Sequence, residues 1–314
     1  MKSAVVIGSN GQDGHYLSLS LEQAGYKVIR IDQALLNPSD FFASREPFDI
    51  CRSNHTDSLL KSLQPDEIYH LAAFHQSAQD DYVESLEILE KSVLVNEFSL
   101  FNLLSSITKF SPKTRLFYAA SSLIFGEPES EIQTENTPIN PVTLYGITKA
   151  SGLYLCRKFR KEQGIYAACG ILYNHESPRR AENFLSKKIA LGIANALKDK
   201  NYILELGNLS AYADWGYAPD YVEAMKLILD QEKPDDYIVA TGEKHSVKDF
   251  VSIAFQSAGL DWTKHVKETP GIVKRITTPL IGDSSKLRKI SGWKPSLTFD
   301  QMVKTLVDKG VDFE

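Results

Sequence analysis

The chain alternates short runs of consecutive apolar residues with longer stretches in which apolar positions recur every three or four residues. Runs of the first kind suit strands buried on both faces of a parallel sheet, and the second kind suits amphipathic helices. Lys2-Ser-Ala-Val-Val-Ile7 is the first strand. A helix from His15 to Ala24 follows, with Leu17, Leu19 and Leu21, and Gly25 closes it; Lys27 to Ile31 is the second strand. Asp66 to Ala72 and Arg115 to Ala120 are further strands. Between them lies a long helix, Glu84 to Ile107, carrying Leu86, Leu89, Val93, Phe98, Leu100, Leu103 and Leu104. A helix through Tyr145 and Lys149 runs to Gln163, and Tyr166 to Tyr173 is the next strand. Such alternation implies parallel strands joined by right-handed crossovers, with ligands bound beyond the strands' carboxyl ends.

After Tyr173 the pattern changes. Asn174-His-Glu-Ser-Pro-Arg-Arg180 is a polar loop, followed by a helix from Asn183 to Lys198 and the short run Leu204 to Gly207. Pro219 to Asp230, Ser246 to Ala258 and Phe299 to Lys309 are further helices, mixed with short strands. The prediction is an α/β fold. A Rossmann-type doubly wound parallel sheet occupies residues 1–173, and a smaller, interleaved C-terminal substrate lobe takes most of 174–314, with some later segments returning to the first domain. No repeat or low-complexity tract interrupts this plan.

Candidate chemistry enters at the first turn. Gly8, Gly11 and Gly14 fall between a strand and a helix, where glycines permit a tight turn and the helix N-terminus offers N–H groups to a pyrophosphate. Asp32 ends the second strand, placed to accept hydrogen bonds from adenosine ribose hydroxyls and to repel a 2′-phosphate. The predicted cofactor is therefore NAD. Tyr145 and Lys149 lie one helical turn apart on one helix face, and Ser121 and Ser122 end a strand upstream. A nearby ammonium stabilises phenolate, so this set is acid–base equipment for oxidation or reduction at an alcohol carbon beside a nicotinamide.

Composition bounds the rest. At 314 residues the chain suits one large α/β unit with a smaller lobe. Its 43% hydrophobic content is that of a globular protein, and no apolar run approaches the roughly 20 residues that span a bilayer. The N-terminus enters a strand without a signal-peptide pattern. Cys51, Cys156 and Cys169 are unclustered, which points to reduced thiols, a cytoplasmic setting and no metal site. A net charge of −5 does not favour nucleic-acid binding.

Together these residues resemble the extended short-chain dehydrogenase/reductases, and within them the GDP-mannose 4,6-dehydratase family, over nearly the whole chain. Gly11-Gln-Asp-Gly-His-Tyr-Leu17 is similar to that family's cofactor turn. Asn174 to Arg180 with Asn183-Phe184 is similar to its substrate loop. Asp214-Trp-Gly216, Asp220-Tyr-Val-Glu-Ala-Met225, Ala240-Thr-Gly-Glu243 with His245-Ser-Val247, and Gly292-Trp-Lys-Pro295 match its C-terminal signatures. The resemblance implies a cofactor set of Gly8, Asn10, Gly11, Gln12, Asp13, Gly14, Asp32, Asp49, Ile50, Leu71, Ala72, Ala73, Tyr145, Lys149 and Tyr173. It implies a substrate set of Asn174, Glu176, Arg179, Asn183, Lys188 and Arg275, and a GDP-linked sugar as the partner. It further implies transient oxidation at C4 of a hexose. Tyr145 would take the hydroxyl proton, Ser121 would hold that hydroxyl, and Lys149 would bind the nicotinamide ribose and lower the tyrosine pKa. A homodimer is implied through the helix of residues 84–107 and the helix of Tyr145. A tetramer would use the loop after the second strand, Gln33 to Pro47.

The chain departs from the family at the elimination step. In the dehydratases a glutamate two residues after the Ser/Thr removes the C5 proton so that water leaves from C6; Leu123 stands there, and Glu127 is the nearest carboxylate in sequence. Ala213 replaces the arginine expected before Asp-Trp-Gly, and Asp32 stands where the family carries arginines for NADP(H). His175 is expected to structure its loop, while Arg179, Arg180, Lys187 and Lys188 are candidate phosphate contacts. Three readings stay open: a C4 epimerase, 4-dehydrogenase or 4-ketoreductase acting on a GDP-linked hexose or heptose; a true 4,6-dehydratase with a displaced base; and a non-catalytic NAD- or sugar-nucleotide-binding partner.

Overall fold

The computed structural model describes residues 1–32, 48–75, 85–272 and 278–310. Six all-parallel strands form the central sheet: β1 (Ser3–Ile7), β2 (Lys27–Ile31), β3 (Glu67–His70), β4 (Arg115–Ser121), β5 (Ala167–Leu172) and β6 (Asp236–Val239). Their spatial order is β6-β5-β4-β3-β1-β2. The order reverses between β1 and β3, so the crevice at their carboxyl ends is a topological switch point. There Ile7 pairs with Ile31 on one side and His70 on the other.

Helices cover both sheet faces. On one face α1 (Gln12–Gln23) and α7 (Ala218–Leu229) pack Leu17, Leu21, Tyr221 and Met225 against Val6, Tyr69 and Phe117. On the other, α2 (Ser53–Leu63), α4 (Ser99–Phe110) and α5 (Leu144–Gln163) pack Leu59, Leu103 and Leu153 against Val5, Ile68 and Tyr118. The remaining helices are α3 (Leu86–Val93), α6 (Leu185–Lys198), α8 (Val247–Ser257), α9 (Ser285–Ser291) and α10 (Phe299–Gly310). A third core joins α6, α8 and α10 around Trp215, Phe250 and Phe299.

Element boundaries differ from the expected ones in instructive ways. The first helix starts at Gln12, directly on the glycine turn rather than at His15. The predicted helix of residues 84–107 is α3 and α4 joined by a π turn, Leu94–Phe98, and Glu84 lies outside the described residues. The π turn carries the buried Asn96, whose amide exchanges hydrogen bonds with the backbone of Phe74 and donates to Thr148 Oγ1. That extra residue per turn ties the exit of β3 to the helix of Tyr145. Helix α2 has only Leu59, Leu60 and Leu63 as an apolar face and was not anticipated. Strand β6, from the C-terminal half, completes the main sheet beside β5.

The C-terminal signatures turn out to brace one another. Buried Asp214 accepts hydrogen bonds from the N–H groups of Thr241, Gly242 and Gly282 and from Thr241 Oγ1. The carbonyl of Asp220 accepts from Trp293 Nε1 at 2.9 Å, and its carboxylate accepts from the N–H of Ser296 at 3.0 Å. Gly216 is required because a Cβ there would lie 2.3 Å from the Tyr221 ring.

Candidate active site

The glycine turn opens into a groove of about 760 Å3 at the switch point, walled by Gly8, Asn10, Gly11, Asp32, Asp49, Ile50, Leu71, Ala72 and Ala73, with Ile7, Ile31, Phe48, Cys51, Phe74 and Val95. Gly8 has φ +89°, and a Cβ on it would lie 2.7 Å from the backbone N of Ala72; one on Gly14 would lie 2.1 Å from the Gly8 carbonyl oxygen. The turn can therefore lie flat between the end of β3 and the N-terminus of α1 only as glycine. The Asp32 carboxylate braces it by accepting from the N–H of Asn10 at 3.0 Å. An elongated, partly apolar groove on a helix N-terminus, with a carboxylate at its far strand end, fits a dinucleotide.

A second cavity of about 230 Å3 adjoins it through Leu71 and Ala73. Its wall brings together Ser121, Tyr145, Lys149, Tyr173 and Asn174 from the predicted sets, and Asp13 from α1. Leu123 is also in that wall, as are His75, His175, Arg180 and Phe184. Ser121 caps the 3-10 turn after β4, its Oγ accepting the N–H of Leu123 at 3.2 Å, which directs its own proton to another acceptor. Thr143 caps α5 and so sets the first turn that carries Tyr145.

Lys149 lies over the Tyr145 ring, held by the strand that precedes the helix. The residue is 1% exposed, and its ammonium donates to the carbonyl of Ala119 at 2.8 Å while standing 5.7 Å from the Tyr145 ring centre. Burial pushes its pKa down to about 7. Burial pushes the Tyr145 phenol above its ordinary value; Arg180 is the cation that pulls it back, and Asp13 adds to the rise. Arg180 lies over Phe184 at 3.8 Å, Phe184 stacks on His75, and the His75 ring meets Tyr145 edge-on at 4.5 Å between centres. This chain of rings joins the substrate loop to the catalytic helix.

Gln12 is turned to the loop, donating to the carbonyl of His175 and accepting from Ser177 Oγ. Ser122 is buried in the 3-10 turn, behind Ser121. Tyr173 presents its ring to the cavity and donates its hydroxyl to Gln133 at 3.1 Å. Glu176 is buried, accepting from Ser186 Oγ at 2.5 Å with Arg180 Nε at 3.3 Å, and holds the loop rather than facing the cavity. Arg179 is exposed outside the cavity wall, near enough to His15 to push its pKa down after burial. Asn183 is exposed, Lys188 lies in the first turn of α6, and Arg275 lies outside the described residues. Arg180, rather than Arg179, is the arginine of the cavity. No local pattern singles out Arg180 over Arg179; for His75 the signal is a place just past a strand's carboxyl end.

A parallel sheet with a glycine turn at its switch point and Ser121, Tyr145 and Lys149 in one adjoining cavity defines an extended short-chain dehydrogenase/reductase. The model of the family described as GDP-mannose 4,6 dehydratase matches residues 5–306. GDP-mannose 4,6 dehydratase 1 of Arabidopsis thaliana is 36% identical over 99% of this chain and 90% of its own length. The GDP-mannose 4,6-dehydratase of Vibrio cholerae is 31% identical, over 98% and 92%. The chain belongs to the GDP-mannose 4,6-dehydratase family. Its fold is shared with RMD from Pseudomonas aeruginosa complexed with NADPH, with a TM-score of 0.81, 19% identity and 99% of each chain covered. The Thermus thermophilus UDP-glucose 4-epimerase complex with NAD also has a TM-score of 0.81, at 22% identity and 98% coverage of each.

Proposed function

We propose that this chain is an NAD-dependent enzyme that oxidises or reduces C4 of a GDP-linked hexose or heptose without ordinary 4,6-elimination, as an epimerase, 4-dehydrogenase or 4-ketoreductase. The observation that carries the reading is Leu123 in the wall of the cavity that holds Ser121, Tyr145 and Lys149. Asp13 is the one carboxylate among the described residues of that wall, and it is paired with His175 at 2.9 Å. Glu127 is exposed beyond Gly126 and outside the wall, which argues against its replacing the family's glutamate. A leucine carries no proton, and the loss of an acid–base group typically costs about 10²–10⁴ in rate.

The residues divide the work by what each has left to offer. A nicotinamide, when bound, supplies the two-electron oxidation and re-reduction of C4. Ser121, its acceptor occupied by Leu123 N–H, donates to the C4 oxygen. Tyr145 exchanges the proton of that oxygen, with Arg180 as the permanent cation that favours phenolate. Lys149 keeps two N–H groups for ribose hydroxyls after its bond to Ala119. Asp32 in the adenosine end of the groove supports NAD over its 2′-phosphorylated form.

The identity of 36% with a GDP-mannose 4,6 dehydratase favours a second reading, a dehydratase with a displaced base. The two are separated by incubating the purified protein with GDP-mannose, with and without NAD, and following product mass and reduced-cofactor absorbance. A mass-neutral isomer, or loss of two hydrogens with reduced cofactor accumulating, supports the C4 reading. Loss of the mass of one water sinks it. A non-catalytic partner role is opposed by the retained Ser121, Tyr145 and Lys149. The reading includes a homodimer, supported by the apolar side chains that α3, the π turn, α4 and α5 leave exposed, among them Leu86, Phe98, Phe101, Ile147 and Tyr154.

A further inference from the structure

His175 joins two stretches that are far apart in the chain. Its Nδ1 is 2.7 Å from the carbonyl oxygen of Tyr173, and its Nε2 is 2.9 and 3.1 Å from the two oxygens of Asp13. Both partners are acceptors when Asp13 is ionised, and a neutral imidazole has a single N–H. Only the imidazolium donates to both. The ring lies against Tyr221 with centres 4.5 Å apart and planes 21° from parallel, and Gly216 leaves the space that the Tyr221 ring occupies.

The backbone around His175 is engaged by the same helix. Gln12 Nε2 donates to the carbonyl of His175 at 3.0 Å, and Gln12 Oε1 accepts from Ser177 Oγ at 2.8 Å. Gln12 and Asp13 are the first residues of α1, directly after the Gly11 cap at the dinucleotide groove. Asn174, Arg180 and Phe184, on the loop beginning at this histidine's strand, wall the catalytic cavity. These contacts are what join the glycine turn and the start of α1 to the loop after Tyr173.

We propose that the Asp13–His175 ion pair is a latch through which a dinucleotide in the groove and a sugar nucleotide in the cavity bind cooperatively, each ordering the element that the other needs. The identities of the two ligands rest on the functional reading above. Asp13 and His175 act here as positioning residues. Coupling follows because a ligand that fixes the N-terminus of α1 lowers the conformational cost of fixing the loop, and the reverse is equal by linkage.

The groups facing the pair decide its pH range. Burial alone would lower the pKa of His175, but the charge and hydrogen bond of Asp13 outweigh it, while Arg180 opposes; the net shift is upward from 6.5. Burial would raise Asp13, and His175 and Arg180 together outweigh that, so it is net lowered. Tyr145 and Lys149 face the pair across the cavity, and Tyr221 covers the ring. A raised histidine value means that the latch is complete below the unfolded histidine range. It is lost as pH rises through the folded value.

The test is calorimetric titration of GDP into the full chain with and without saturating NAD at pH 7, for the wild type, Asp13→Asn and His175→Gln. NAD is expected to tighten GDP about tenfold in the wild type, and less than about twofold in either variant. In the wild type, nitrogen NMR of His175 should find both ring nitrogens protonated at pH 7, a readout that needs no variant. Should a variant unfold, the coupling is followed in the wild type as pH rises, where it should fade as His175 deprotonates. A neutral imidazole at pH 7, or coupling that survives both substitutions, overturns the latch. Binding of both nucleotides without coupling overturns the latch alone, whereas no binding of either overturns the functional reading with it.

Discussion

Lys149 and Ala119 are joined by a hydrogen bond in the wall of the cavity beside the groove. The lysine ammonium donates to the alanine carbonyl at 2.8 Å, at the carboxyl end of β4, rather than meeting the Tyr145 hydroxyl. The lysine is thereby fixed to the sheet, beneath the tyrosine ring and beside the groove.

Fixing that ammonium in the interior has a cost that depends on pH. With a folded pKa of about 7 against about 10.4 unfolded, the unfolded chain binds more protons between these values, so stability rises with pH across that window. Lys149→Met removes the penalty. It should stabilise the protein by on the order of 1–3 kcal/mol at pH 6, with the gain gone by about pH 10. Thermal unfolding at the two pH values checks this, and a Met variant that is less stable at pH 6 would contradict it.

Arg180 holds a permanent charge near Tyr145. For C4 oxidation, Arg180→Met should move upward by about one unit the limb on which activity rises as Tyr145 ionises, and Arg180→Lys should return most of it. An unchanged limb with an altered KM would mean that the guanidinium serves substrate binding alone.

Leu123→Glu returns a carboxylate to the wall where the family has one. Given GDP-mannose, the variant is expected to gain a product lighter by one water, detectable by mass spectrometry. A folded variant without that product would move the search for what decides elimination to further positions, Ala213 first among them.

The exposed apolar face of α4 and α5 should be covered in solution. Phe101 is 43% exposed and Tyr154 53%. Phe101→Asp with Tyr154→Asp should turn a dimer into a monomer by sedimentation, because two charges would be desolvated at the centre of the interface. A wild-type monomer at micromolar concentration would refute the dimer.

Cys51 lies in the wall of the groove with a thiol pushed up to about 11, by burial first and then by Asp49. Alkylation at pH 8 should be about 100-fold slower than for a free cysteine, because the thiolate reacts. NAD should slow it further. Rapid labelling that ignores NAD would place the nucleotide elsewhere.

By itself, the sequence determined the local features of this protein. The apolar runs of β1, β2, β4 and β5, the glycine turn and the Tyr145–Lys149 spacing are readable because each depends on residues within a turn or a strand of one another. Leu123 is likewise visible as a departure from a motif. Tertiary structure decided which polar groups meet. Asp13 and His175 are 162 positions apart, and no local pattern announces their pairing. Strand β6, Asp236-Tyr-Ile-Val239, belongs to the sheet only through its parallel register with β5, a pairing between distant segments. Arg180 displaced Arg179 as the arginine of the cavity because Glu176 and Phe184 hold the Arg180 side chain inward. Burial then set the charges. The same lysine that reads as an ammonium in sequence has its pKa lowered to about 7 once the sheet removes it from water.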